Sequence, residues 1–378
     1  MNSEPKFEPF GFNKTKLVNA MKQQGVDGIL LSSPENIYYT TRYTGLPSSG
    51  NPILYSLRNI FPYFVYINSE GKVSLICWGA STFSVQFGAD EIKGFGDYKE
   101  ALRVLENFLK KNIGPNTTLG IESTCPYFAT QIIESQIRPG KLLVIDSILA
   151  KLRLIKSTRE LELIQKSTEI IEKTLTELYD EIHVGMSRLD LMQNAKYRLF
   201  KNGATGISHL TFSFGKANPE IAIGEILEKN ALVTLDLGGN YLGYISDNRR
   251  YAYSGKVPQA LVEHYNLMVE VVDSVGKMLV PGTSYSEIYQ HTLDLYNQHQ
   301  LKGAGYINHL GHNIGLATEE EWLTNDPDLK VEAGMAINIE LYSPAPTGAY
   351  IGDEETYIID EKGSRRVSLL PTVIRSIE

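Results

Sequence analysis

Cysteine is nearly absent from this 378-residue chain, which has only Cys77 and Cys125. Two thiols supply neither a disulfide framework nor the paired spacing of a zinc knuckle or redox motif, so a reducing compartment is expected. Apolar runs long enough to cross a bilayer are also missing, and the opening MNSEPKFEPFGFNK has no signal-peptide core. These absences predict a cytoplasmic protein without a membrane partner. No basic excess is present either. Lys and Arg total 36 against 44 Asp and Glu, and the net charge of -8 removes any electrostatic reason to bind nucleic acid. Low-complexity segments and obvious short repeats are lacking as well.

The chain otherwise has the composition of a globular protein, 42% hydrophobic and 21% charged, and is long enough for two domains or one large one. From residue 14 to 150, helix-like and strand-like segments alternate: KLVNAMKQQGV, DGILLSS, YFVYI, VSLICW, ALRVLENFLKK, TTLGI and KLLVIDS. This pattern predicts an α/β domain over residues 1–155. Ser157-Thr158 then opens a long amphipathic helix, and residues 156–378 form a second, mixed α/β or α+β domain. Its helices are expected at SRLDLMQNAKYRLFKNG, QALVEHYNLMVEVVDSVGKML and SYSEIYQHTLDLYNQHQLKG, the last stopped by Gly303. Strands are expected near 207–214, 231–238, 241–245 and 250–254, then at GMAINIELY, ETYIID and VSLL.

Five side chains interrupt these apolar strands. Asp236 and Asp247 are separated by Gly238 and Gly239, a pair expected to form a tight reversal between two strands. Each acid also has an ordinary explanation, Asp236 capping a turn and Asp247 pairing with Arg249 or Arg250. Downstream, however, His312 sits in a glycine-flanked NHLGHNIGL, Glu340 ends MAINIE, and Glu354 precedes a β-branched run. Carboxylates are costly to bury in such places unless they meet a cation. One shared cation site explains all five together. The four carboxylates balance two divalent ions and His312 adds a nitrogen donor, an oxygen-rich set suited to manganese, cobalt or iron more than to structural zinc. Two such ions can hold a hydroxide and polarise a carbonyl, which is hydrolase chemistry.

In this order the residues resemble the pita-bread metallopeptidase family of methionine aminopeptidase, aminopeptidase P, prolidase and creatinase. Asp236 matches the family's Asp-x-Gly, and Asp247 its Ser-Asp followed by an arginine, here Arg250. His312 matches Gly-His-x-x-Gly, Glu340 the Ile-Glu step and Glu354 the final Glu-x-Thr. GVDGILLSSPENIYYTTRYTGL and LRLIKSTRELELIQKS resemble the N-domain and interdomain entry of the two-domain prolidase branch. The resemblance implies a creatinase/prolidase-type N-terminal domain, a pita-bread catalytic domain with a curved antiparallel sheet flanked by helices, and a homodimer. It also implies a dinuclear centre, with manganese most expected and cobalt, iron or zinc as alternatives. Glu340 would both bind metal and take the proton of the attacking water, and the substrate would be a dipeptide or other small molecule.

The sequence departs from the family at three places. Pro-His becomes Pro219-Glu220; the family's His-Glu downstream of His312 becomes Glu319-Glu320; and the arginine two residues before the last glutamate becomes Gly352. The lost histidines help bind the scissile amide and its tetrahedral intermediate. His309 and His209 are candidate replacement donors, and a structural role is open for each. Acids at 220 and 319 would instead suit an NH-rich or cationic substrate, while Glu319 and Glu320 also read as a solvated acidic loop. Three readings follow: an Xaa-Pro dipeptidase or aminopeptidase, a non-peptide C–N hydrolase of an amidine, guanidino or cyclic compound, and a non-catalytic binding module.

Overall fold

Several helices of this chain start at polar caps. The computed structural model describes residues 6–79, 86–215, 224–303 and 308–377, and the chain separates into two compact units, Met1–Arg153 and Leu154–Glu378. In the first unit Asn13 caps Lys14–Gln23, Ser33 caps Pro34–Thr41, and Asp97 caps Tyr98–Asn112, each side chain accepting from a first-turn amide. A six-stranded mixed sheet runs Glu91–Phe95, Val73–Trp78, Phe64–Asn68, Gly28–Leu31, Thr118–Ile121, Lys141–Val144. Helix Tyr98–Asn112 packs Leu105 and Leu109 into a core with Leu30, Phe64 and Ile76. The helix at PENIYYTT and the strand at Glu91–Phe95 have no counterpart in the sequence reading.

The second unit opens with a full capping box. Ser157 accepts from the Glu160 amide and the Glu160 carboxylate accepts from the Ser157 amide, starting Thr158–Tyr179. Ser187 caps Arg188–Lys201, and a second capping box, Ser284 with Glu287, starts Tyr285–Gln298. The last helix ends at Gln298, before the expected Gly303, because Gln300 enters the left-handed region at φ 53°. Helix Gln259–Lys277 lies between Arg188–Lys201 and Tyr285–Gln298 in the chain.

Two largely antiparallel sheets carry this unit. In one, Leu232–Tyr241 lies between Gly206–Phe214 and Asn248–Ser254, with Tyr244–Ile245 at its end and Ile374–Ile377 parallel on the far edge. The other runs Gly311–Asn313, Ala336–Pro344, Tyr350–Asp360, Gly363–Arg366. Side chains bridge the sheets: Asn248 Nδ2 donates to the Glu354 carbonyl at 3.0 Å and Tyr251 accepts from the Gly352 amide at 3.1 Å. The Gly238–Gly239 pair does not form the expected reversal. It lies within the strand at a bulge opposite His209 and Ile207, and the chain turns at Leu242–Gly243, both at positive φ. VSLL is not a strand; Gly363–Arg366 and Ile374–Ile377 flank it. Among the described residues no helix is long and apolar enough to cross a membrane.

Candidate functional site

Strand alternation puts Val233, Leu235 and Leu237 into the core, so Thr234 and Asp236 face the other way. Register sets their company. Asp236 lies opposite Thr211 on one side and Arg249 on the other, and Gly238 lies opposite His209. In the second sheet Glu340 faces Glu354 directly across the ladder, with Tyr342 facing Gly352. Like charges in direct opposition destabilise an antiparallel pair unless a cation lies between them.

These strands surround one cavity of about 570 Å³, lined by Asp236, Asp247, His312, Glu340, Glu354, His209, Arg249 and Glu319 among others. Asp236, Asp247, His312 and Glu354 are buried. Two triads have donor atoms all within 4.8 Å of one another, Asp247–His312–Glu354 and His209–Asp236–Asp247, with Asp247 in both. The His312 ring is held by its Nδ1 against the Asn313 carbonyl at 3.3 Å and edge-on to Trp322, and its Nε2 lies 3.8 Å from Asp247. Asn338 donates to Glu354 Oε1 at 2.6 Å, while Glu354 Oε2 is buried and accepts no hydrogen bond. A buried carboxylate oxygen that accepts no hydrogen bond, on a residue grouped with another acid and a histidine, fits a divalent cation.

Burial raises Glu354 well above the usual carboxylate range, and Asp247, Glu340 and Asp236 add to the effect. Glu340 is raised by burial as well, against the pull of Arg249. Asp236 goes the other way: Arg249 and His209 more than offset its burial and lower it.

Some expected residues lie elsewhere. Glu220 falls outside the described residues. His309 packs against Trp322 with ring centroids 4.1 Å apart and the rings tilted by 52°, and does not line the cavity; burial and then His312 depress its pKa. Glu319 lines the cavity, whereas Glu320 is no part of a solvated loop. It pairs with Lys156 at 2.9 Å, both side chains nearly sealed from solvent, and accepts from the Leu316 amide. Asp247 pairs with neither neighbouring arginine. Arg250 is fully buried on Glu355 at 2.6 Å, and Arg249 reaches Asp236, Glu340 and Glu354. Arg249 is a site residue that the sequence pattern does not announce, its position two residues beyond Asp247 being the available signal.

A second cavity of about 380 Å³ shares Asp236 and Arg249 with the first. It is lined by Thr211, Ser213, Thr234, Tyr251, Tyr342 and Tyr350. Gly352, paired with Tyr342 and donating its amide to the Tyr251 hydroxyl, has no room for a side chain, since a Cβ there would run into the Leu341 carbonyl.

Known proteins share this architecture. A Pyrococcus furiosus Xaa-Pro dipeptidase is 26% identical over 93% of this chain and 96% of its own length, and the uncharacterised Bacillus subtilis peptidase YqhT is 25% identical over 94% and 97%. Among solved structures, a Pyrococcus horikoshii prolidase superposes with TM-score 0.79 at 22% identity, covering 95% of this chain and 98% of that one. A Thermococcus sibiricus prolidase reaches 0.83 at 19% identity, covering 97% and 99%. The fold is thus a creatinase-like N-terminal domain followed by a pita-bread catalytic domain. Residues 14–155 match the creatinase/prolidase N-terminal domain and residues 162–367 match metallopeptidase family M24. With that match spanning the sheets that bring the acids and His312 together, the chain belongs to metallopeptidase family M24 and is a metallohydrolase.

Proposed function

We propose that this metallohydrolase is an Xaa-Pro dipeptidase or aminopeptidase that cleaves an amide C–N bond at a dinuclear centre held by Asp236, Asp247, His312, Glu340 and Glu354. The observation that carries the reading is the meeting of these five side chains, from five separate segments, around one cavity. Divalent ions bound there supply Lewis acidity and make water a nucleophile near neutral pH. Manganese is the proposed ion, in keeping with the oxygen-rich donors. In this reading Glu340 accepts the proton of the attacking water, with its carboxylate oriented by the Tyr342 hydroxyl. The adjoining cavity binds the rest of the substrate, its tyrosine rings offering apolar faces and Thr211, Ser213 and Thr234 offering hydroxyls. The proposed domains are 1–155 and 156–378, in a cytoplasmic homodimer.

A second reading, hydrolysis of a non-peptide amidine or guanidino compound, is favoured by two observations. Glu319 stands in the cavity as an acceptor for NH-rich groups, and Gly352 excludes an anchoring arginine. The test is hydrolysis of a panel of Xaa-Pro dipeptides beside guanidino acids and cyclic amidines, with manganese and after chelation. The first reading expects chelator-sensitive release of proline, and Glu340→Gln is expected to lower kcat by about 10²- to 10⁴-fold with little change in KM. Turnover of the amidines alone would replace the first reading with the second. Peptide turnover unaffected by chelation would end both.

A further inference from the structure

The carboxylate cluster already contains a cation supplied by the chain. The Arg249 guanidinium contacts Asp236 Oδ2, lies 3.4 Å from Glu340 Oε1 and 3.7 Å from Glu354 Oε2, and covers the Tyr342 ring at 4.3 Å. On the other side of Asp236, His209 Nε2 lies 3.0 Å from Asp236 Oδ1 and 3.1 Å from Asp247 Oδ1. The two oxygens of one carboxylate are therefore divided between an imidazole, which can bind a metal ion, and a guanidinium, which does not.

We propose that His209 is a ligand of the second ion, together with Asp236 and Asp247, and that Arg249 is the resident competitor for that seat, which the ion must displace. The proposal rests on the two-ion reading above and deepens it, because it makes the two seats unequal for a reason specific to this chain. The Asp247–His312–Glu354 seat has its own histidine and only a distant contact with Arg249.

Two features build the second seat. The His209 ring is oriented from behind: its Nδ1 is 3.3 Å from Ser208 Oγ, which shares a 2.6 Å hydrogen bond with Thr318 Oγ1, the kind of outer contact that fixes a ligating imidazole. Gly238 makes room for the ring, since a Cβ at this position would collide with His209 Cε1 and Nδ1. Charge balance then decides the fate of Arg249. Two divalent ions neutralise Asp236, Asp247, Glu340 and Glu354, so a guanidinium kept among these four would be repelled by a metal ion at close range. With one ion bound, the same guanidinium offsets half of the negative charge that remains on these four carboxylates. Arg249 also lines the adjoining cavity, which gives the displaced side chain somewhere to go.

The test is calorimetric titration of the metal-free full-length protein with manganese chloride, paralleled by cobalt chloride titration followed by visible absorption. The wild type is expected to bind two equivalents, the second roughly tenfold or more weaker than the first. His209→Ala and His209→Asn should each weaken the second equivalent by about 10- to 100-fold and change the cobalt spectrum of that equivalent only. Arg249→Gln should act in the opposite direction and tighten it by roughly tenfold. An unchanged first equivalent in each variant shows that the chain has folded and the first seat is intact. Two equivalents bound by the wild type, with neither His209 nor Arg249 variants moving the second, would overturn this proposal and leave the two-ion reading standing. Binding of no ion by the wild type would overturn both.

Discussion

Cys77 illustrates how completely the environment decides what a residue can do. Its thiol is buried in a strand of the N-terminal sheet, and burial pushes its pKa from the ordinary 9.0 up to about 12; Cys125 is pushed to about 11 by the same cause. The native state therefore keeps both protons above pH 9, where the unfolded chain releases them. This contribution to stability is complete below about pH 9 and declines as pH rises toward the folded values. The prediction is that denaturant midpoints fall between pH 9 and pH 10.5, and that replacing Cys77 by Ala reduces the slope. Slow modification by a thiol reagent at pH 8, made fast by denaturation, is the companion check. Gly352 makes a similar point about space. Gly352→Arg is expected to destabilise the protein by roughly 1–3 kcal/mol in chemical denaturation, as overpacking does, rather than supply a carboxylate anchor, because its Cβ has nowhere to go.

Helices and strands in this chain owe their positions to different kinds of information. The Ser157–Glu160 capping box is local, and the start of Thr158–Tyr179 is legible four residues at a time. Ser157→Ala should cost about 1 kcal/mol, visible as a lower melting temperature, without touching the site. Strand pairing is not local. Glu340 and Glu354 are opposed only because Ala336–Pro344 and Tyr350–Asp360 pair in one register, and a slip of one strand by one residue would turn its acid away from the cavity. The buried Arg250–Glu355 pair ties Asn248–Ser254 to Tyr350–Asp360, with Ser368 and the Leu370 carbonyl taking further Arg250 hydrogens. Arg250→Met is expected to destabilise by about 3–5 kcal/mol in chemical denaturation, since it strands a buried carboxylate.

At the scale of the whole molecule, metal binding is a property of Leu154–Glu378 alone on the proposed reading, because every proposed ligand lies in that unit. A ligand that binds only the native state adds stability by mass action, about 2.7 kcal/mol when present at a hundred times its dissociation constant. Manganese should therefore slow amide exchange in Leu232–Tyr241, Ala336–Pro344 and Tyr350–Asp360. Exchange in Gly28–Leu31 and Phe64–Asn68 of the other unit should stay as it was. Hydrogen-exchange mass spectrometry with and without the ion reads both, and equal protection in the two units would contradict a centre confined to the second.

Much of this was legible in the one-dimensional pattern. Alternating segments announced the α/β class, the capping serines marked helix starts, and an acid at the end of an apolar run is conspicuous because burial of a charge is costly. Chain order could present Asp236, Asp247, His312, Glu340 and Glu354 as a set, but not the other groups they meet. The expected reversal at Gly238–Gly239 failed because these glycines serve a bulge beside the His209 ring, a neighbour that only strand pairing supplies. Along the chain Arg249 reads as a partner for nearby Asp247, yet register sets it opposite Asp236, and pairing of the two sheets brings Glu340 and Glu354 within its reach. Propensity and burial cost act over a few residues and can be read along the chain. Which cation faces which carboxylate depends on register between distant strands, and that exists only once the chain has folded.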